Sequence, residues 1–225
     1  MAGAAFFDLD RTLISRSSSL ALAGTFWRRG LIGKRHVAQA ALAQLVFTSL
    51  GAGQAQVGRT ADRAVSLLKG LSVDVLRGIV AEAWPTVLRP LVYEEALDLA
   101  ASHQARGERA YIVSAALQEV VETISRELGF DGALASRAEI EDGVYTGRLE
   151  RRLYGAEKRA ALEELASAQG YDLARSTAYS DSHTDLAFLE AVGHPVAVNP
   201  DRDLRRVVEE RGWPVLWFKR RLGKQ

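Results

Sequence analysis

The chain has 225 residues, of which 48% are hydrophobic and 25% charged, and this composition is typical of a folded protein with a sizeable core. Its 29 Lys and Arg nearly balance 28 Asp and Glu, so no global charge favours nucleic acid as a partner. The absence of cysteine excludes disulfides, thiolate metal sites and a cysteine nucleophile. Without an apolar signal core at the N-terminus, we expect a cytoplasmic protein.

The first predicted element is a strand over residues 4–9, in the sequence AAFFDL. Its nearly continuous apolar run is typical of a strand covered on both faces, as in a parallel sheet. A helical block follows from about residue 17 to residue 83, broken at glycines. Its most apolar stretch, 37–50, is too short and too polar to span a bilayer of roughly 30 Å. Pro85 and Pro90 then mark a linker that returns to the sheet.

Strand and helix patterns alternate through the rest of the chain. The dipeptide Asp142-Gly143 predicts a hairpin turn between two alternating segments. The other predicted strands are 110–113, 176–179 and 195–199, and the predicted helices are 93–106, 117–128, 158–169, 184–191 and about 201–211. This pattern predicts an α/β fold with a Rossmann-like parallel sheet, formed by residues 1–14 and 91–225, and a helical cap domain inserted at 15–90.

Two acids, Asp8 and Asp10, stand at the end of the first strand in the sequence DLDRT. Residues at positions i and i+2 of a strand share a face, so both carboxylates can address one ligand. A buried carboxylate is costly without a cation, and ligands of open α/β sheets bind beyond the carboxyl ends of the strands. The pair therefore indicates either a solvated strand end or a binding site.

Three further polar stretches follow predicted strands or open helices: VSAA at 113–116, YGAEKRA at 154–160 and YSDSHTD at 179–185. Each has a simple structural explanation when taken alone. Ser114 suits a helix N-cap, and Lys158 suits a solvated helix surface. Asp181 and Asp185 suit the first turn of the next helix. Only the order of all four motifs is specific.

Taken in this order, the four motifs resemble those of the haloacid dehalogenase superfamily of phosphotransferases. The helical insert after the first motif, together with VSLLKGLS at 65–72 and GHPVAVNPD at 193–201, is similar to the phosphoserine-phosphatase-like branch, in particular subfamily IB hydrolases. The resemblance covers nearly the whole chain. It implies a Mg²⁺-dependent hydrolase that acts on a small-molecule phosphomonoester through an aspartyl-phosphate intermediate.

The resemblance also implies a role for each acid. Asp8 is then the nucleophile and a metal ligand, and Asp181 supplies a second carboxylate to the metal. Asp10 contributes its backbone carbonyl to the metal, while its side chain protonates the leaving oxygen and later activates water. Mg²⁺ suits such a site because it prefers one or two carboxylates completed by waters and phosphate oxygens.

By the same resemblance, four residues bind the phosphate: Thr12, Ser114, Ala115 and Lys158. Cations and donors preorganised around the phosphoryl oxygens are what phosphoryl transfer requires. Asp185 then orients Lys158. All the charged positions of the family pattern are present in this chain.

Substrate specificity depends on the residues around the motifs. Phosphoserine phosphatases commonly carry a Glu for the substrate ammonium group where this chain has Ser17, which puts phosphoserine in doubt. Thr184 stands where that branch often has Asn, and His183 lies in the same loop. Arg59 and Arg63 are candidates for a substrate carboxylate or phosphate, although a solvated arginine face is the interpretation that we favour for them.

Two other functions stay open at this point. One is a phosphotransferase that passes the phosphoryl group to an acceptor other than water. The other is a lipid-phosphate (lysophospholipid) phosphatase or binding module, for which the apolar insert and the tail WPVLWFKRRLGKQ would contact a membrane surface. Phosphoserine, histidinol phosphate and lysophospholipid phosphates all remain open as substrates, as does the oligomeric state.

Overall fold

The computed structural model describes residues 2–31 and 62–223. The strands are β1 (Ala4–Asp8), β2 (Arg109–Leu117), β3 (Gly132–Glu141), β4 (Val144–Arg151), β5 (Thr177–Ser180), β6 (His194–Val198) and β7 (Val215–Leu216). The α-helices are α1 (Ser18–Arg28), α2 (Val73–Ala83), α3 (Glu94–Ala105), α4 (Gln118–Leu128), α5 (Ala156–Gln169), α6 (Leu186–Leu189) and α7 (Arg202–Arg211), and residues 62–66 are also helical. Shorter helical turns lie at Trp84–Leu88, Arg89–Leu91, Leu173–Arg175 and His183–Asp185.

The strands form one sheet in the order β4-β3-β2-β1-β5-β6-β7. Neighbouring strands pair in parallel except β3 and β4, which form an antiparallel hairpin. The hairpin turns at Asp142 and Gly143, whose φ angles of 51° and 77° are both positive, as a type I′ turn requires. The predicted Rossmann-like sheet and its hairpin are thus confirmed.

Strand β1 lies in the middle of the sheet and is buried on both faces. Ala5 and Phe7 belong to one hydrophobic cluster, while Ala4 and Phe6 belong to the cluster on the opposite face. The Phe7 ring stacks on Tyr179 of β5 with ring centroids 4.4 Å apart. This two-sided burial explains why the strand reads as a continuous apolar run rather than an alternating one.

Two crossing segments, 13–15 and 91–93, connect the helices before residue 91 with the sheet. They lie side by side, joined by backbone hydrogen bonds of 2.8 and 3.0 Å. The C-terminal segment adds to them, because the Leu222 amide donates to the Val92 carbonyl at 3.0 Å. The end of the chain is therefore hydrogen-bonded to one of the crossings.

The hairpin also contacts the turn that precedes α2 and the first residue of that helix. The Gly70 amide donates to the Tyr145 carbonyl at 3.0 Å, and the Tyr145 amide donates to the Leu71 carbonyl at 2.9 Å. The Val73 amide completes the contact with a 3.0 Å bond to the Gly143 carbonyl. Backbone hydrogen bonds thus join the insert to the sheet at a second place, besides the crossing segments.

The structure differs from the sequence prediction in two places. The segment around Pro85 and Pro90 forms two helical turns rather than a loop, since each proline occupies the first turn, where its missing N–H leaves no hydrogen bond unmade. Strand β7 is a two-residue edge strand that carries no pattern of its own. Over residues 2–31 and 62–223, no helix is long and apolar enough to cross a membrane. The apolar stretch 37–50 lies outside the described residues.

Candidate active site

The predicted site residues meet at one edge of the sheet. Asp8 ends β1, Asp181 directly follows β5, and Ala115 lies near the end of β2. The sheet order places β2, β1 and β5 next to one another, and because they run in parallel their carboxyl ends share an edge. The residues that follow these strands therefore face a common space.

That space is a cavity of about 130 Å³. Ten of its eleven lining residues carry a polar or charged side chain, and these include acids, cations, hydroxyl groups and one phenol. The lining residues are Asp8, Asp10, Arg11, Ser17, Ala115, Tyr154, Lys158, Asp181, Ser182, Thr184 and Asp185.

Lys158, from the first turn of α5, bridges two of the acids. Its Nζ donates to Asp8 Oδ1 at 2.5 Å and to Asp185 Oδ2 at 2.7 Å, and the Ser180 hydroxyl donates to the same oxygen of Asp185 at 2.7 Å. Lys158, Asp8 and Asp185 are all at least nine-tenths buried. Burial alone would lower the pKa of Lys158, but the carboxylates of Asp185 and Asp8 raise it, so the ammonium form is favoured.

Burial has the opposite effect on the Asp8 carboxyl, because it disfavours the negative charge. It raises the pKa of Asp8, with a further contribution from the neighbouring Asp185, while Lys158 acts in the other direction. One lysine is thus shared by two buried acids. The Asp8 carboxylate is held in place but is short of compensating positive charge.

Asp10 is held by the start of α1. Its Oδ1 accepts a hydrogen bond from the Ser18 amide at 2.8 Å, at the first residue of α1. Burial raises the pKa of the Asp10 carboxyl, and the hydrogen bonds from Ser18 oppose that rise. The chain folds this way locally because Ser17 caps α1, its Oγ accepting from the Leu20 amide at 3.4 Å.

Asp181 is held from two sides. Arg11 Nε lies 3.0 Å from its Oδ2, and the Thr12 hydroxyl lies 3.5 Å from its Oδ1. Arg11 adopts a positive φ of 67°, a conformation that is rare outside glycine and that clusters at functional sites. Burial raises the pKa of Asp181 well above its ordinary value, which Arg11 opposes and the nearby Asp8 reinforces.

The loop after Asp181 is fixed by Asp201, the N-cap of α7. Asp201 Oδ2 accepts from the Ser182 hydroxyl and from the His183 amide, both at 3.0 Å. Its own amide donates to the Asp181 carbonyl at 2.7 Å. Asp201, three residues after the end of β6, therefore helps to hold Asp181 in place at the cavity.

The charges of the cavity suit a divalent cation. Asp8, Asp10, Asp181 and Asp185 outnumber the two cationic side chains, Arg11 and Lys158, so the described lining carries a formal surplus of two negative charges when every group is ionised. Among the described residues no three acidic or histidine side chains converge into a complete metal shell. Mg²⁺ does not need one, since it commonly takes one or two carboxylates and completes its octahedron with waters and phosphate oxygens.

The other predicted site residues fall into three groups. Ser17, Ala115 and Thr184 line the cavity. Thr12 and Ser114 are buried behind its wall, and the Ser114 hydroxyl accepts from the Ala116 amide at 3.1 Å. The remaining three do not line the cavity as described: Arg63 and His183 are exposed elsewhere, and Arg59 lies outside the described residues.

Three cavity residues were not predicted from the sequence: Arg11, Tyr154 and Ser182. Arg11 lies between the two motif acids, but nothing in its residue type distinguishes it from a solvated arginine. Tyr154 precedes the helix of Lys158 by two residues, and Ser182 directly follows Asp181. All three lie within the four motifs, so their position in a motif was the available signal.

Comparison with known proteins gives a consistent result. The family model for haloacid dehalogenase-like hydrolases matches residues 5–190. A probable phosphatase of Mycobacterium tuberculosis is 45% identical over 217 residues, which are 96% of this chain and 76% of that protein. A phosphoserine phosphatase of the same organism is 35% identical over 223 residues, which are 97% of this chain and 72% of that protein.

A solved structure also matches. It is a protein of unknown function from Bordetella pertussis, with 29% sequence identity and a TM-score of 0.83. The alignment covers 96% of this chain and 98% of that one. A similar fold over most of the chain therefore occurs in an experimentally determined structure of similar length.

Proposed function

The chain belongs to the haloacid dehalogenase-like hydrolases, and from this we propose that it is a Mg²⁺-dependent phosphomonoesterase that forms an aspartyl-phosphate intermediate. One observation carries the proposal: Asp8, Asp10, Lys158 and Asp181 line a single cavity at the carboxyl edge of the sheet. Two strands and a helix distant in sequence contribute these side chains. A group of solvated acids at a strand end would not require a buried lysine among them.

In the proposed reaction, a carboxylate oxygen of Asp8 attacks phosphorus, and the bond from phosphorus to the leaving oxygen breaks. The Asp10 carboxyl gives its proton to that oxygen. Asp10 then takes a proton from water as the water attacks the aspartyl phosphate, which releases inorganic phosphate and restores Asp8. Asp10 suits this task because its raised pKa favours the protonated form at the start.

The metal would be held by the carboxylates of Asp8 and Asp181 and by the backbone carbonyl of Asp10. When bound, Mg²⁺ supplies Lewis-acid stabilisation of the phosphoryl oxygens and neutralises the repulsion between phosphate and nucleophile. Lys158 adds a fixed positive charge, which Asp185 orients. We propose further that residues 15–90 form a cap over a core of residues 1–14 and 91–225.

The substrate class follows from the lining near the cap. Ser17 and Thr184, which line the cavity, carry neutral hydroxyl groups, so neither offers a charge to a substrate ammonium group. We therefore propose a small phosphomonoester whose recognition does not depend on an acid at position 17. A panel containing phosphoserine, histidinol phosphate and a short-chain lysophospholipid phosphate, assayed for phosphate release with Mg²⁺, tests this proposal directly.

Removal of the metal should abolish turnover. With EDTA in excess, phosphate release should fall to background, and added Mg²⁺ should restore it, because the surplus negative charge of the cavity then has no counter-ion. Calorimetric titration with Mg²⁺ should show binding that Asp181→Asn weakens. Hydrolysis that persists at full rate in EDTA would contradict the proposed metal dependence.

Asp10→Asn should separate proton transfer from metal binding. The amide oxygen of the introduced asparagine still accepts from the Ser18 amide, so the loop keeps its geometry, but the side chain no longer carries a transferable proton. We expect kcat to fall by roughly 10²- to 10⁴-fold, the usual contribution of general acid–base catalysis. Titration of the variant with Mg²⁺ should give a Kd close to that of the unchanged chain. A variant that lost Mg²⁺ affinity alone would contradict this division of roles.

A further inference from the structure

Tyr154 lines the cavity, and its hydroxyl oxygen is buried beside it. That oxygen makes no hydrogen bond of normal geometry with any residue in the described ranges. The Thr184 hydroxyl is close enough to lower the pKa of the phenol, but its own hydrogen bond of 3.1 Å is to the Ser182 hydroxyl. Buried polar groups are nearly always hydrogen-bonded, so an unpartnered hydroxyl in a polar cavity indicates a ligand.

The chain fixes the position of this phenol. Gly155 follows it with φ 60° and ψ −125°, a conformation that essentially only glycine adopts, and this residue turns the chain between β4 and α5. The Tyr154 carbonyl accepts from the Glu157 amide at 3.3 Å, in the first turn of α5. Lys158 lies one helical turn further on, so the phenol and the ammonium group address the same cavity.

The phenol is also a donor that is still available. Burial raises the pKa of Tyr154, which keeps the hydroxyl protonated near neutral pH. The cationic donors of the lining already have partners: Lys158 bonds Asp8 and Asp185, and Arg11 contacts Asp181. A neutral O–H donor suits an anionic ligand that approaches a site already rich in carboxylates.

The size of the cavity restricts what reaches this hydroxyl. Its volume of about 130 Å³ corresponds to roughly four water molecules of about 30 Å³ each, which is comparable to a phosphate with its four oxygens. We infer that Tyr154 Oη donates a hydrogen bond to a phosphoryl oxygen of the bound phosphomonoester and is therefore a substrate-binding residue. This inference rests on the proposed phosphatase function and adds a contact to it.

Calorimetric titration with inorganic phosphate tests the inference, using Mg²⁺-loaded protein of full length. Tyr154→Phe removes only an oxygen without a protein partner, so the thermal unfolding midpoint should stay unchanged. The Kd for phosphate should rise roughly 10- to 100-fold, the range expected when a hydrogen bond to a charged group is lost. KM for a phosphomonoester should rise by a similar factor.

Tyr171→Phe is the matched control. The Tyr171 hydroxyl bonds the Tyr111 hydroxyl at 2.8 Å, and neither residue lines the cavity. This variant should leave the Kd for phosphate unchanged.

Two results would overturn the inference. One is an unchanged Kd in Tyr154→Phe, which together with a raised KM would assign the contact to the leaving group. The other is no phosphate binding by the unchanged protein. Failure of the proposed function looks different, because phosphate would still bind while no phosphomonoester was hydrolysed. In that event the comparison of Kd values would still decide whether Tyr154 contacts the phosphate.

Discussion

Asp8→Asn should abolish phosphomonoester hydrolysis while the fold stays intact. An amide does not form the aspartyl phosphate, so we expect turnover to fall by roughly 10⁴-fold or more, as for other removed nucleophiles. The substitution also removes one negative charge from a cavity that has a surplus of them, while Lys158 keeps its bond to Asp185. The free energy of unfolding should therefore change by less than about 2 kcal/mol.

Asp203→Asn provides the control for this experiment. Asp203 lies on α7, its side chain is exposed, and its ion pair with Arg206 is long at 3.7 Å. Activity and stability should both stay close to those of the unchanged protein. Burst kinetics and urea unfolding of both variants, measured side by side, separate loss of chemistry from loss of fold. Full activity of Asp8→Asn would rule out the proposed nucleophile.

Lys158→Met should affect stability as well as activity. The substitution leaves Asp8 and Asp185 buried without their shared cation, and removal of one partner from a buried ion pair typically costs about 3–5 kcal/mol. Turnover should fall to background, because the phosphoryl group loses its fixed positive charge. Lys219→Met makes the same charge change at an exposed position and should be nearly neutral.

The loss of stability in Lys158→Met should depend on pH in a defined direction. Without the lysine, burial raises the pKa of Asp8 in the folded state further above its unfolded value, so the folded chain binds more protons than the unfolded chain between the two pKa values. Stability of the metal-free variant should therefore fall as pH rises through that range. Urea unfolding in EDTA at pH 5 and pH 7.5 measures this difference. A variant equally stable at both values would show that the carboxylates find another partner.

Much of the fold was predictable because its signals are local. The apolar run of β1 reports burial on both faces, and Asp142-Gly143 specifies a turn that few other residue pairs adopt. What the sequence lacked were features set by tertiary contacts. Strand β7 is defined by its pairing with β6, and the crossing segments pair with each other only once the fold is formed.

The site residues also divide into those that a sequence pattern reports and those that depend on tertiary contacts. Asp8, Asp10, Lys158 and Asp181 were predicted because their order along the chain is specific, and the structure brings them into one cavity. Tyr154 was not, since its importance depends on a missing hydrogen bond, which no sequence pattern reports. His183 shows the converse: it lies inside a motif, yet its side chain is exposed, and the contact that it makes with Asp201 comes from its backbone amide.

The central place of β1 has a consequence for synthesis of the protein. This strand leaves the ribosome well before its neighbour β5: the Ala4 amide bonds the hydroxyl of Ser176, which lies 172 residues later and directly precedes β5. At a synthesis rate of about 5–20 residues per second, the strand waits roughly 10 to 35 seconds for β5. Through that interval β1 lacks at least one of its two neighbouring strands, β2 and β5. A nascent chain should therefore depend on chaperones until both strands have paired with β1.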